Sequence, residues 1–448
     1  MKLLLTHGYF ICEDAKEQAI MKPYAPLGIL YLSSHLRAKG FDVEVYDSTF
    51  GSRNELFSKL DNETPGVIGI YTNLITRSSV IKIIARARAN GWKVVLGGPE
   101  PVNYAQEYLE AGADVIIGGE GEVPLEALLR TNLDPELWPQ IPGLFFRSQG
   151  GKVVNTGAAP LIKDLDAQPW PDRKQIKLEQ YLDVWRRHHG KGSVSLITAR
   201  GCPYHCNWCS HSVYGKTHRR RSPIGVVDEI EWILDCYRPE MLWLADDVFT
   251  IHHGWLFEYA EEMRKRRIYI PFECITRADR LNEKVAATLA ELGCFRVWIG
   301  SESGSQRILN AMQRGVTVKQ VQDAVAFCKK NGIQTGMFLM WGFDGEQIED
   351  IEATVTHVKT CRPDVFFTTV SYPIKGTPYF ERVASRLVNI SGWQESTDRD
   401  LRIQGRHSRR FYQYADELLK SEMEKEPDLT KVLTARSGLH QSWHEVEA

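Results

Sequence analysis

The chain has 448 residues, 43% of them hydrophobic and 25% charged, the balance of a soluble globular protein of roughly two or three domains. A formal net charge of −2 advertises no polyanion, so no nucleic-acid partner is expected. No apolar run reaches the roughly 18 residues of a membrane span, and the start, MKLLLTHGYFICEDAKEQ, turns acidic too soon for a signal peptide, which makes the cytoplasm the expected location.

From the N-terminus, the β-rich runs KLLLT, DVEVYD, VIGIY, KVVLGG and DVIIGG alternate with helical patterns. Strands alternating with helices pair in parallel through right-handed crossovers, so residues 1–135 read as a doubly wound α/β domain. Ligands of such sheets sit at the carboxyl ends of the strands, where YTNLITRS follows the third run, GGPEP the fourth and GGEGE the fifth. Residues 136–190 read as a hairpin, GLFFRSQGGKVVNT, and a Pro- and charge-rich linker. In residues 191–388 a second alternation places strands at 194–198, 241–244, 269–276, 296–300, 334–340 and 365–371. Six βα units without a reversal of order predict a partial (β/α)6 barrel of TIM type, with its site at the carboxyl mouth of the strands. Residues 389–448 form a polar, mostly helical extension with one amphipathic helix over 405–423.

Nine cysteines in a chain without an export signal argue for reduced thiols. Cys12, Cys236, Cys274, Cys294, Cys328 and Cys361 stand singly in apolar surroundings and read as core. The other three are concentrated in LITARGCPYHCNWCSHS, where Cys202, Cys206 and Cys209 form CxxxCxxC directly after the first barrel strand. A structural zinc site takes four ligands, and His205 and His211 would have to bend back to supply one. A 4Fe-4S cluster held by three thiolates leaves one iron open to a cofactor or substrate. The basic run HRRRSP at 218–223 reads as a solvated face or as a clamp for an anionic cofactor or substrate.

CxxxCxxC after the first strand of a partial barrel, with aromatic Trp208 before the last cysteine, resembles the radical S-adenosylmethionine (SAM) enzymes. The resemblance implies that Cys202, Cys206 and Cys209 bind the catalytic cluster, that its open iron chelates SAM, and that cleavage yields a 5′-deoxyadenosyl radical. It also implies SAM contacts: Trp208 within the cysteine loop and, at the other strand ends, Asp246 and Asp247 towards the ammonium, Arg277 towards the carboxylate, Ser301 and Glu302 towards the ribose, and Gly342 and Tyr372 towards the adenosine. The first domain is similar to the flavodoxin-like (Rossmann-like) cobalamin-binding domain of B12-dependent radical SAM enzymes. Thr72-Asn73-Leu74 resembles one element of the cobalamin signature and Gly97-Gly98 another, with Gly119 and Glu120 at the next strand end. Small residues there let the backbone approach a flat macrocycle and its nucleotide tail. The histidine of that signature is absent, Thr49 standing in its place, which leaves the axial partner of cobalt open. A bare Rossmann-like structural module, or one holding a flavin or nucleotide, is the alternative for this domain.

The resemblance covers residues 1–380 and implies methyl transfer through methylcobalamin to an unreactive carbon or phosphinate of a small molecule. A flavodoxin or ferredoxin would supply the electron. An oxidative cyclase or ring-rearranging enzyme of the same group is the alternative chemistry, and a cluster-bearing sensor without turnover the alternative of another class.

Overall fold

The computed structural model describes residues 2–388 and 391–447; the expected start of the extension, at 389, lies outside them. The first sheet contains β1 Leu3–His7, β2 Val43–Val45, β3 Val67–Tyr71, β4 Lys93–Gly97 and β5 Val115–Ile117, followed by β6 Leu144–Arg147 and β7 Val153–Asn155. Its order is β2-β1-β3-β4-β5-β6-β7, so the chain runs outwards from β1 to β2 and then returns past β1, placing the topological switch between β1 and β3. Helices cover both faces, which is why β1 and β5 are buried throughout rather than alternating, and apolar up to Thr6 and His7 at the end of β1. The hairpin β6–β7 adds two antiparallel strands to this same sheet through Val115↔Phe146, so the expected linker starts only after it.

The second sheet is the predicted barrel. Its strands are β8 Ser193–Leu196, with the short β9 Ala199–Arg200 and β10 Arg219–Arg220 following it, then β11 Met241–Leu244, β12 Phe272–Thr276, β13 Cys294–Glu302, β14 Gln334–Trp341 and β15 Val365–Val370. The order β15-β14-β13-β12-β11-β8 is parallel throughout, and among the described residues β8 and β15 do not pair with each other, so the barrel is open on one side. The two-residue period of a strand assigns each side chain to a face. Val194, Leu196, Leu242, Leu244, Cys274, Val297, Ile299 and Met337 join the outer core beneath the helices. Trp298, Phe338 and Phe367 point into the lumen, where Trp298 stacks at 5.2 Å on Phe338 and at 5.4 Å on Phe367.

Two expectations are corrected. Of the six solitary cysteines, Cys274, Cys294, Cys328 and Cys361 are buried, whereas Cys12 and Cys236 are exposed, because each lies on the outer face of a surface helical turn. The extension holds two long helices rather than one, Arg409–Glu422 and Leu429–Gln441. Val432, Ala435 and Leu439 of the second bury against Leu418 and Leu419 of the first, a stripe too sparse to stand out from its polar sequence. No helix among the described residues is long and apolar enough to cross a membrane.

Candidate functional site

β9 and β10 pair antiparallel, Arg200 opposite Arg219, and pinch off residues 201–218 as a loop over the barrel mouth. Gly201 opens it at φ 87, and any Cβ there would stand 2.4 Å from the Thr217 carbonyl oxygen, so the pinch requires glycine. Cys202, Cys206 and Cys209 all face one cavity of about 260 Å3.

Among the described residues no three His, Cys, Asp or Glu side chains, the three cysteines included, stand close enough together to hold a single metal ion. Although Cys209 opens onto the cavity, desolvation by the surrounding walls and the neighbouring sulfurs raise its thiol pKa, and desolvation raises Cys202 too, so the bare thiols have no electrostatic reason to converge. Two guanidiniums supply the opposite field. Arg277 Nη1 and Arg314 Nη1 point at Cys206 Sγ from 3.8 and 3.7 Å. Three sulfurs, two cations behind one of them and no fourth protein ligand fit an anionic iron–sulfur cluster with one open position, and do not fit a closed zinc site.

The cavity continues into the lumen past Asp247, Arg277 and Glu302. Arg277 is locked on every side: it lies over the Tyr204 ring at 3.5 Å, its Nε donates to Asp279 at 2.9 Å and its Nη2 to the Arg314 carbonyl at 2.8 Å. Asp247 opens onto the cavity, but its walls desolvate the carboxyl and, with Asp246 beside it, raise its pKa. Burial likewise raises Glu302, against the pull of Arg314 and Arg277. Trp208 lines the cavity with a buried Nε1 that has no hydrogen-bond partner.

A second cavity, a crevice of about 100 Å3, lies at the carboxyl ends of β1, β3, β4 and β5. Gly28 and Gly97 face it, and a Cβ built on either meets no atom within 4 Å; the missing side chains are part of the empty space. Its far wall is Val213 and Tyr214 of the cysteine loop, together with Arg200.

Residues 196–358 match the radical SAM superfamily, and residues 20–129 match the B12 binding domain family. The chain belongs to the B12-dependent radical SAM enzymes. An uncharacterized methyltransferase of Pyrococcus horikoshii is 29% identical over 87% of this chain and 85% of its own. The anaerobic magnesium-protoporphyrin IX monomethyl ester cyclase of Rubrivivax gelatinosus is 28% identical over 86% of this chain and 71% of its own. Among solved structures, the radical SAM methyltransferase TsrM from Kitasatospora setae superposes with a TM-score of 0.72 at 21% identity, over 86% of this chain and 76% of that one. The cobalamin-dependent SAM radical enzyme OxsB reaches 0.74 at 17% identity, over 98% and 70%. The cofactors of this B12-dependent radical SAM enzyme are a 4Fe-4S cluster, SAM and cobalamin.

The residues expected to serve those cofactors divide. Trp208, Asp247, Arg277 and Glu302 share the cavity of the three cysteines. Asp246 does not reach it: its carboxylate accepts from the Thr198 and Ala199 backbone N–H groups at 2.7 and 3.1 Å and from Arg220 Nη2 at 2.7 Å. Ser301 sits at a register shift between Gly300 and Glu302, which both line the cavity; its own hydroxyl is turned away to meet His357 Nε2 at 3.1 Å. Gly342 packs against the Tyr412 ring, and Tyr372 lines a different cavity. In the B12 binding domain Gly97, Gly98, Gly119 and Glu120 line the crevice. Thr72, Asn73 and Leu74 stand beside it as a turn, Thr72 N–H donating to the Gly97 carbonyl at 2.8 Å and Asn73 Oδ1 accepting from Ile75 and Thr76 N–H. Thr49 follows the edge strand β2 and does not line the crevice, and neighbouring Asp47 is taken by His7 and by the Tyr181 hydroxyl.

The arginine run is neither solvated face nor open clamp. Arg219 donates to Glu120 at 2.6 Å, Arg220 to Asp246, and Arg221 to Glu229; these largely buried pairs tie the cysteine loop to the first domain and to the barrel. Arg200 joins them, reaching Glu120 at 2.7 Å. Arg200 adjoins the cysteine motif in sequence and was findable from it, whereas Arg314 carries no local signal at all.

Asp246→Ala strands Arg220 among buried groups and is expected to cost about 3–5 kcal/mol. Asp247→Asn, which breaks no ion pair, should stay within about 0.5 kcal/mol of the parent. Urea denaturation of both variants reads the difference, and equal losses would place the two aspartates in equivalent roles.

Proposed function

We propose that this enzyme transfers a methyl group, carried by cobalamin, to an unreactive carbon or phosphinate of a small-molecule biosynthetic intermediate in the cytoplasm, with a flavodoxin or ferredoxin as electron donor. Residues 1–135 would hold cobalamin and residues 191–388 the cluster and SAM, with the extension from 389 beside them. The observation that carries the reading is that one short stretch serves both cavities. Cys202, Cys206 and Cys209 line the first, and Val213 and Tyr214, a few residues on, line the second. The cofactors would thus meet across a single loop whose position is set by Glu120, Arg200 and Arg219.

When bound, the cluster with SAM supplies a carbon radical and cobalamin supplies the methyl group. The chain's own residues provide the surroundings. Arg277 and Arg314 hold positive charge against Cys206, Asp247 and Glu302 offer carboxylates suited to the SAM ammonium and ribose, and the stacked Trp298, Phe338 and Phe367 give the lumen an aromatic wall. The similarity to a cyclase, at almost the same identity as to the methyltransferase, favours oxidative cyclisation as the second reading.

The test is anaerobic turnover of the fully loaded enzyme with SAM carrying a labelled methyl group. The expected result is 5′-deoxyadenosine and S-adenosylhomocysteine together, with label appearing on cobalamin. Deoxyadenosine alone, with cobalamin bound and never labelled, would overturn methyl transfer in favour of cyclisation.

A further inference from the structure

A third cavity, about 500 Å3, lies between the carboxyl end of β15 and the C-terminal extension. Ser371 and Tyr372 contribute from the barrel, and Arg399, Arg406, Arg409 and Tyr412 from the extension. Its acidic groups are already matched. Glu447 pairs with Arg406 at 2.9 Å, and Asp416 with Lys420 at 2.5 Å and with the Thr368 hydroxyl. Two cations are left over: Arg399 and Arg409 are exposed and have no carboxylate partner among the described residues, Arg399 lying over the Tyr372 ring at 5.4 Å. A third donor is unsatisfied. Trp341, only 1% exposed, lines the same cavity and its Nε1 has no hydrogen-bond partner.

Short chains of contacts run from this cavity towards both cofactor sites. On the barrel side, Phe338 lines the cluster cavity, its register partner Phe367 stacks on it at 6.4 Å, and the next two residues, Thr368 and Thr369, line the third cavity. On the other side, Asp398, adjacent to Arg399, is buried in the first domain. It accepts from Arg77 Nη2 at 3.1 Å, from the Tyr104 hydroxyl and from Lys375 N–H at 2.9 Å. Arg77 and Tyr104 follow β3 and β4, the strands that end at the crevice.

We propose that this cavity binds the anionic group, a carboxylate or a phosphate, of the small-molecule substrate, with Arg399 and Arg409 as its counter-charges. A guanidinium presents paired donors to either anion, and an anion there would also meet a donor-rich wall. The proposal rests on the reading of the chain as an enzyme acting on a small molecule at the barrel mouth.

The test titrates the full-length chain with inorganic phosphate and, separately, acetate, against sodium chloride at matched ionic strength, following the melting temperature. A saturable rise with at least one anion beyond chloride is expected, and the anion that produces it identifies the group. In the double variant Arg399→Ala, Arg409→Ala the half-saturating concentration should rise about tenfold, while the double lysine variant, which keeps the charge, should fall between that and the parent. Neither arginine holds a structural ion pair, so both variants should fold. No saturable response to either anion, or an alanine variant that titrates like the parent, would overturn the site. Cleavage of SAM by the loaded parent enzyme is measured alongside. Its failure with the anion response intact sinks the catalytic reading and leaves the anion site standing.

Discussion

Cys206→Ala is expected to abolish SAM cleavage outright, with 5′-deoxyadenosine at the level of buffer and the cluster's visible absorbance and iron content lost. Each of the three sulfurs is needed, but Cys206 has the most to lose. It is the buried member of the set, and the guanidiniums of Arg277 and Arg314 both converge on it. In the proposed site its removal would delete one iron ligand and take away the sulfur on which Arg277 and Arg314 converge, leaving those guanidiniums only Asp279 and Glu302 as acidic neighbours. The control is Cys236→Ala, an exposed thiol outside the cavity, which should retain iron and turnover at the parent level. Cleavage surviving in the Cys206 variant would remove the cluster from its assigned loop.

Gly97→Leu should separate the two cofactors. Gly97 ends β4 at the crevice, its φ lies outside the left-handed region, and a Cβ there meets nothing within 4 Å, so the substitution is free of backbone strain and fills space rather than displacing protein. A ligand that needs that space then faces an overpacked wall worth about 1–3 kcal/mol, and cobalamin affinity should fall about ten- to a hundredfold. SAM cleavage should persist, because the cluster cavity lies on the other side of the loop that separates the two. Equilibrium binding of cobalamin, followed by its visible spectrum, together with deoxyadenosine production, measures both. Undiminished cobalamin binding would mean that the crevice is not its seat.

Much of this architecture is legible locally. A period of two against a period of 3.6 separates strands from helices, and the alternation of the two dictates parallel sheets, here one doubly wound and one a partial barrel. CxxxCxxC at the end of the first barrel strand names the cluster loop because three ligands within eight positions need no tertiary information to be close. The same local logic reaches as far as strand ends and no further. It marks 246–247 and 301–302 as candidates without saying which member of each pair faces the lumen. For Ser301 a register shift in β13 and the contact with His357 decide against it. For Asp246 the Thr198 turn and Arg220 claim the carboxylate first.

The sequence by itself determined the two-domain α/β plan, the three thiols and the glycines that keep the crevice open, since each is encoded within a few neighbouring residues. Only the tertiary structure decided which carboxylate each arginine meets, that β6 and β7 complete the first sheet, that one loop walls two cavities, and that a third cavity lies under the extension. The physical reason is the range of the forces involved. Backbone geometry repeats over two to four residues, whereas a buried charge is neutralised by whatever the fold brings within about 4 Å, as Arg77 finds Asp398 across 321 positions of chain.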